Sequence, residues 1–411
     1  MTLIKPFRAL RPVPARARDV LAPPYDVLTS AEARQRTRGR PWSFLHVSKA
    51  EIDLPEGTDP FSDAVYAKAA ENLERMIAER VLQRDSRPHF YAYRTSWQGR
   101  RQTGLACVAA LAGYENGRVR RHELTTPVKE TDRVRQIEAL NAQTGPVMMA
   151  YPHAPEIDTL LKRATERDPD VAVTAADDVT HELWVIADAG PIEELTYAFE
   201  ALPAVYIADG HHRSAAAARV SEARGGARAR GDAPHRYFLS VIFPHHSMTI
   251  LDYNRVVRDL AGRTPEALLR EIAERFAVSP SASPVRPAGP REFGMYLAGG
   301  WHVLKLKPEL VPEGDAVGRL PVSLLAANLI EPILGIADQR TDKRIDFVGG
   351  GRGLADLARR VDSGEMAVAF SLYPTQIEDV MAVADAGGIM PPKSTWFEPK
   401  LADGMVSYVL D

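Results

Sequence analysis

The 411-residue sequence has a single cysteine, Cys107, set in the apolar run "GLACVAALAG". One thiol can form no intrachain disulfide and no cysteine-based zinc site, and its apolar neighbours mark it as a packing residue. Long apolar runs are also missing. None approaches the roughly 18 residues of a membrane span, and the opening "MTLIKPFRALRPVPARARDV" has no apolar leader core. Nor is there an excess of positive charge. A net charge of -3 gives no global field to attract nucleic acid, and no helix-turn-helix or basic arm is recognisable. Together these absences predict a soluble, cytoplasmic protein with no membrane span and no global field for nucleic acid, a local basic patch remaining open.

The residues that are present are those of an ordinary globular chain, 45% hydrophobic and 26% charged, long enough for two or three domains. Strand-like and helix-like stretches alternate. "TSAEARQRTRG" opens with Thr29 and Glu32 at capping-box spacing, and "SDAVYAKAAENLERMIAERVL" has helical periodicity. "HFYAYRTSW" and "QTGLACVAAL" read as a hairpin, and "TDRVRQIEALNAQ" as a helix capped near Thr131 or Asp132. Further on, "EFGMYLAGGWHVLKLKP" reads as a second hairpin turning at Gly299 and Gly300. "SEARGGARARGDAPH" reads as a polar loop and "ASPVRPAGPRE" as the most linker-like stretch. The mixture predicts an α/β fold, with α+β as the alternative, built on mixed sheets.

One stretch concentrates chemistry. "VYIADGHHRSAAAARV" runs from an apolar strand into an alanine-rich helix, with Asp209, Gly210, His211, His212, Arg213 and Ser214 at the junction. Glycine permits a tight turn and close approach of a ligand to the main chain. The first amides of the helix lack intrahelical acceptors and suit an anion such as phosphate, to which Arg213 adds a planar fork. Asp209 is a candidate for holding magnesium or taking a proton, and the histidines for moving one. Asp209 as a plain helix cap is the bland alternative.

"ADGHHR" resembles the signature turn of the ParB and sulfiredoxin superfamily, and most of all that of its free serine kinases. The whole chain resembles the family catalogued as domain of unknown function 1015, on "APPYDV", "HELTTPVKETDR", "ADGHHR", "IDFVGG" and "MPPKSTWFEPKLADGMV", in that order. The resemblance implies a strand-turn-helix core over residues 121–255, an α/β region before it over 1–120, and another after it over 256–411. It also implies a nucleotide, ATP or ADP, as phosphate donor, with Mg.

The kinases of that type have a catalytic glutamate upstream of the turn, for which Glu123 is the positional candidate. Its segment also holds His122, Lys129, Asp132 and Arg133. Lys129 and Arg133 would join Arg213 in neutralising phosphate; His122 and Asp132, with Tyr25 and Asp26 of "APPYDV", would line the substrate site. Lys393, Ser394 and Thr395, after two prolines, are further phosphate candidates, though a rigid surface turn explains them equally. His245 and His246 lack a carboxylate at metal-ligand spacing, which argues against zinc there. The reading is a phosphotransferase acting on a small hydroxylated metabolite, free L-serine first. A nucleotide-binding switch, or a nucleotide hydrolase or nuclease, is the alternative.

Overall fold

A computed structural model describes residues 2–226 and 232–411, so the middle of the polar stretch "SEARGGARARGDAPH" lies outside the described residues. The chain divides into two compact units, residues 1–248 with 399–411, and residues 249–398. This division differs from the three consecutive segments read from the sequence.

The first unit opens with β1 (Ile4–Lys5) and β2 (Ala9–Pro12). Helix α1 (Ser30–Thr37) begins at the Thr29–Glu32 capping box read from the sequence; α2 (Asp63–Ala78) and β3 (Leu82–Arg84) follow. Strands β4 (Phe90–Trp97) and β5 (Arg100–Ala110) form the expected hairpin, and β6 is the short Val119–Arg120. Helix α3 (Pro127–Leu140) starts earlier than its periodicity suggests, with Thr126 at its N-cap. Thr131 and Asp132 are therefore inside the helix and do not cap it. The reason is Pro127, whose fixed φ and missing N–H suit the first helical position.

Next come β7 (Ala142–Gln143), β8 (Val147–Tyr151), α4 (Pro155–Ala164), β9 (Val171–Thr174) and β10 (Thr180–Ile186). Helix α5 (Ala189–Glu200), β11 (Val205–Asp209), α6 (His211–Ala223) and β12 (Tyr237–Pro244) complete this part. The large sheet has the order β6-β11-β8-β12-β5-β4-β10-β9, with β1 also on β5. β6 and β11 are parallel, as are β8 and β12; the other pairs are antiparallel. The fold is α/β with mixed sheets. Phe90, Trp184, Phe199, Ile207 and Phe238 join one buried core, and Phe44, Leu73 and Met76 another.

The second unit has β13 (Thr249–Leu251), β14 (Tyr253–Val257), α7 (Pro265–Ala273), β15 (Phe276–Ser281), β16 (Glu292–Leu297) and β17 (Gly300–Leu306). After these come β18 (Ile345–Gly349), α8 (Leu354–Asp362), β19 (Val368–Leu372), α9 (Ile377–Asp385) and β20 (Trp396–Glu398). Its main sheet is antiparallel, in the order β15-β17-β16-β19-β14-β18. The linker-like "ASPVRPAGPRE" is internal to this unit and buries Val285 in its core. The chain then returns to the first unit, where β21 (Ser407–Val409) pairs with both β2 and β7.

Gly104, in the middle of β5, shows how closely β5 and β12 approach. A Cβ there would lie 2.7 Å from the Ile242 carbonyl oxygen and 2.7 Å from the Phe243 ring. Gly104→Ala is expected to cost the first unit about 2–3 kcal/mol, lowering its Tm by roughly 5 °C. Gly190→Ala, in α5 with open space around it, should leave Tm unchanged or slightly raised in the same calorimetric scan.

Candidate functional site

Asp209 is the last residue of β11, and α6 starts two residues later. Gly210 between them has φ 96° and ψ 26°, and a Cβ on it would lie 3.3 Å from Val147 Cα. Only glycine makes this turn without strain beside β8. The Gly210 carbonyl takes the amides of Arg213 and Ser214 at 2.9 and 3.1 Å. The amides of His211 and His212 precede the first intrahelical bond, so the positive end of α6 opens at the turn.

The two oxygens of Asp209 have separate partners. Oδ1 accepts the Gly210 N–H at 2.9 Å, and Oδ2 accepts from Lys400 Nζ at 2.9 Å. Loss of solvent pushes this carboxyl up, but Lys400 and Arg213 outweigh it and hold the group well below the usual carboxylate range. Lys400 is a site residue that sequence reasoning missed. It sits in the stretch "MPPKSTWFEPKLADGMV", from which Lys393, Ser394 and Thr395 were singled out. The polar cluster "EPKLADG" was the available signal, but nothing local says which lysine reaches β11.

The segment carrying Glu123 does meet the turn. Glu123 Oε2 lies 3.6 Å from His211 Nδ1, and the buried His122 ring packs edge-on against His211 at 4.5 Å between centroids. Burial pushes His211 well below the ordinary imidazole value, and neighbouring His122 adds to the effect. His122 is likewise lowered by burial, to about 4, against an opposing pull from Asp209. Both rings are therefore neutral near pH 7. His212 Nε2 accepts the Thr126 amide at 3.1 Å, which joins the start of α6 to the cap of α3. Burial, then the charge of Lys129, lowers His212 as well.

Arg213 Nη1 donates to the Pro146 carbonyl at 3.0 Å, and its Nη2 is 3.5 Å from Asp26 Oδ1. Its guanidinium carbon is 5.5 Å from the Tyr25 ring centroid, and that of Arg133 is 3.8 Å from the same ring. Asp132 accepts from Arg133 Nε and from the Tyr66 hydroxyl, each at 2.8 Å, so its carboxylate positions these groups. Tyr25, Asp26, Arg133 and Arg213 are thus brought together. Ser214 comes out differently. It is buried and its hydroxyl donates to the His211 carbonyl of its own helix at 3.0 Å.

Lys393, Ser394 and Thr395 belong to the second unit. There the Lys393 carbonyl accepts from Arg255 and Ser394 Oγ donates to the Pro391 carbonyl, as in a structural turn.

A cavity of about 510 Å³ in the first unit reaches Lys400 and is also lined by Arg18, Arg36, Arg40 and His181. Its size suits a small-molecule ligand, and its wall also carries Asp19 and Asp177. As for a metal, His122, Glu123 and His211 are one of two groups among the described residues whose ligand atoms lie within 4.8 Å of one another. Two imidazoles and one carboxylate do not match the all-oxygen preference of magnesium. Asp209, the metal ligand expected from the sequence, is already charge-compensated by Lys400.

Asp403 is buried near Arg213, and sequence reasoning missed it too. Burial pushes its carboxyl up to about 6, with Arg213 opposing and Asp26 adding to the rise. A folded-state value above the unfolded ~3.9 means the native state binds the extra proton between about pH 4 and 6. The stability from protonated Asp403 is therefore full below about pH 4 and lost as pH rises through about 6. Asp403→Asn should flatten that fall, making the protein ~3 kcal/mol more stable than wild type at pH 7.5 and little different near pH 4. Urea unfolding at both pH values checks this.

Several solved structures are similar to this chain, all with low superposition scores, and three of them serve as examples. A free serine kinase in complex with AMP is 14% identical, over 71% of this chain and 86% of that one, with a TM-score of 0.35. A conserved hypothetical protein from Pyrococcus furiosus is 16% identical over 72% and 93%, with a TM-score of 0.34. SbnI from Staphylococcus aureus, with a C-terminal truncation, is 12% identical over 73% and 85%, with a TM-score of 0.36. No curated protein matches the chain. A family profile described as "Protein of unknown function (DUF1015)" matches residues 4–323, and the chain belongs to that family.

Proposed function

We propose that this protein is a phosphotransferase that moves a phosphoryl group from a nucleotide to the hydroxyl of a small metabolite, free L-serine being the first acceptor to test. The observation that carries the reading is the meeting of Glu123 with His211 beside the Asp209–Lys400 pair, at the open end of α6. The resemblance of "ADGHHR" to the turn of free serine kinases points the same way.

The electrostatics divide the labour between the two acids. A carboxylate held far below its usual range is a poor proton acceptor, so Asp209 serves to hold Lys400 in place. Glu123, half-exposed and beside a neutral imidazole, takes the proton of the acceptor hydroxyl. The acceptor oxygen attacks the terminal phosphorus, the bridging P–O bond breaks, and the nucleotide leaves with that electron pair. The α6 amides, Arg213 and Lys400 neutralise the phosphate oxygens through this step. Magnesium, when bound with the nucleotide, would supply further charge neutralisation, with the carboxylates of Asp209 and Glu123 as its oxygen donors from this chain.

The test incubates the protein with ATP or ADP and magnesium, with and without L-serine and a panel of other small alcohols, and follows products by mass spectrometry. The reading expects acceptor-dependent loss of nucleotide and, with serine, O-phosphoserine. Nucleotide loss that ignores every acceptor would mark a hydrolase, and no loss at all a switch; either sinks the proposal. Glu123→Gln and Asp209→Asn should each lower kcat by roughly 10²–10⁴-fold in folded protein. Full activity in a folded Glu123→Gln protein would remove the assigned base.

A further inference from the structure

Two proline–histidine segments leave neighbouring strands of the large sheet in step. β8 runs on into Pro152 and His153, while β12 ends at Pro244 and is followed by His245 and His246. The strands are parallel, with Pro244 opposite Tyr151, so both segments emerge at the same edge. α4 begins at Pro155 and puts Asp158 in its first turn. His246 Nε2 lies 3.8 Å from Asp158 Oδ2, and the His153 and His246 ring centroids are 5.7 Å apart. One ligand atom from each of His153, Asp158 and His246 lies within 4.8 Å of the other two.

The carboxylate is held from behind. Its Oδ1 accepts from the hydroxyl of fully buried Tyr151 at 2.6 Å, leaving Oδ2 towards the histidine. A ligand carboxylate fixed by a buried donor is a recurring arrangement around protein-bound metals. The absence of a carboxylate at metal-ligand spacing in the sequence around His245 and His246 is thus made good by a residue far away in the chain.

We infer that His153, Asp158 and His246 bind a divalent transition-metal ion, of which zinc is the type. Two imidazoles and one carboxylate make the three-protein-ligand set of zinc sites that keep a fourth position for water. A tetrahedral zinc needs ligand atoms about 3.3 Å apart, close to the spacing already present between His246 and Asp158. The two histidines are exposed or half-exposed and free to rotate inward by the remaining distance.

This site is separate from the candidate phosphoryl-transfer site. β11 runs antiparallel to β8 and pairs Asp209 with Met148, so the turn lies at the amino end of β8 and His153 beyond its carboxyl end. The residues between Met148 and Tyr151 alone span about 10 Å.

The experiment uses the full chain without an affinity tag, dialysed against micromolar Zn²⁺ at pH 7.5, with bound metal measured by atomic emission. The His153→Ala/His246→Ala double variant should retain one equivalent less zinc than wild type. Asp158→Asn should weaken that equivalent at least 10-fold, and Tyr151→Phe by roughly 10-fold. Co²⁺ loaded in place of zinc should give the visible absorption of a tetrahedral site in wild type and lose it in the double variant. His211→Ala should leave this equivalent in place. Equal zinc retention by wild type and a folded double variant overturns the inference. So does loss of the same equivalent in His211→Ala, which would give the metal to the other cluster. Because the altered side chains are mostly solvent-facing, circular dichroism of the double variant should match wild type. If it does not, Asp158→Asn alone decides the outcome.

Discussion

The ion pair between Asp209 and Lys400 joins residues 191 positions apart in the chain, and the candidate site depends on it. A carboxylate at the end of a buried strand costs free energy unless a cation faces it. Lys400 supplies that cation only because the chain, after completing the second unit, comes back to the first. The return is held by β21, which pairs with β2 and β7, and by the bridge between Ala22 and Asp403. Thus a short terminal segment sets the charge state of the turn that precedes α6. The same return brings Asp403 towards Arg213, where its buried carboxyl counters the guanidinium.

Around the pair, charge is arranged by burial. His122 and His211 lose their protons because no anion near them is strong enough to offset their loss of solvent. Arg213 keeps its charge despite burial, through Asp26 and Asp403. The result is a turn with fixed cations, neutral imidazoles and two half-exposed acids, Glu123 and Asp26. Such an arrangement favours an incoming anion. The cavity that reaches Lys400 has three arginines in its wall together with Asp19 and Asp177.

Much of the fold was legible in the sequence. The Thr29–Glu32 capping box, the β4–β5 hairpin and the β11–α6 turn all stand where local pattern put them. Their signals lie within a few residues of the structures they specify. The errors share the opposite property. Thr131 and Asp132 looked like caps because they open a periodic run, but Pro127 starts the helix a turn earlier. Ser214, named among the polar residues of the junction, has its hydroxyl on the His211 carbonyl of its own helix. Helix α9 was not read at all, since "YPTQIEDVMAVADAGG" offers a Gln376 cap rather than a more familiar serine or threonine.

The sequence by itself determined the strand-turn-helix at Asp209–Gly210, because backbone strain at the glycine and the free amides of a helix start are local properties. It also determined the family, through short motifs in a set order along the chain. Only the tertiary structure decided which charged groups face one another. It set Lys400 on Asp209, Glu123 beside His211, and Asp158 between His153 and His246. Each of these meetings depends on sheet register and chain return, and Coulomb and ligand interactions act over a few ångströms whatever the separation in sequence.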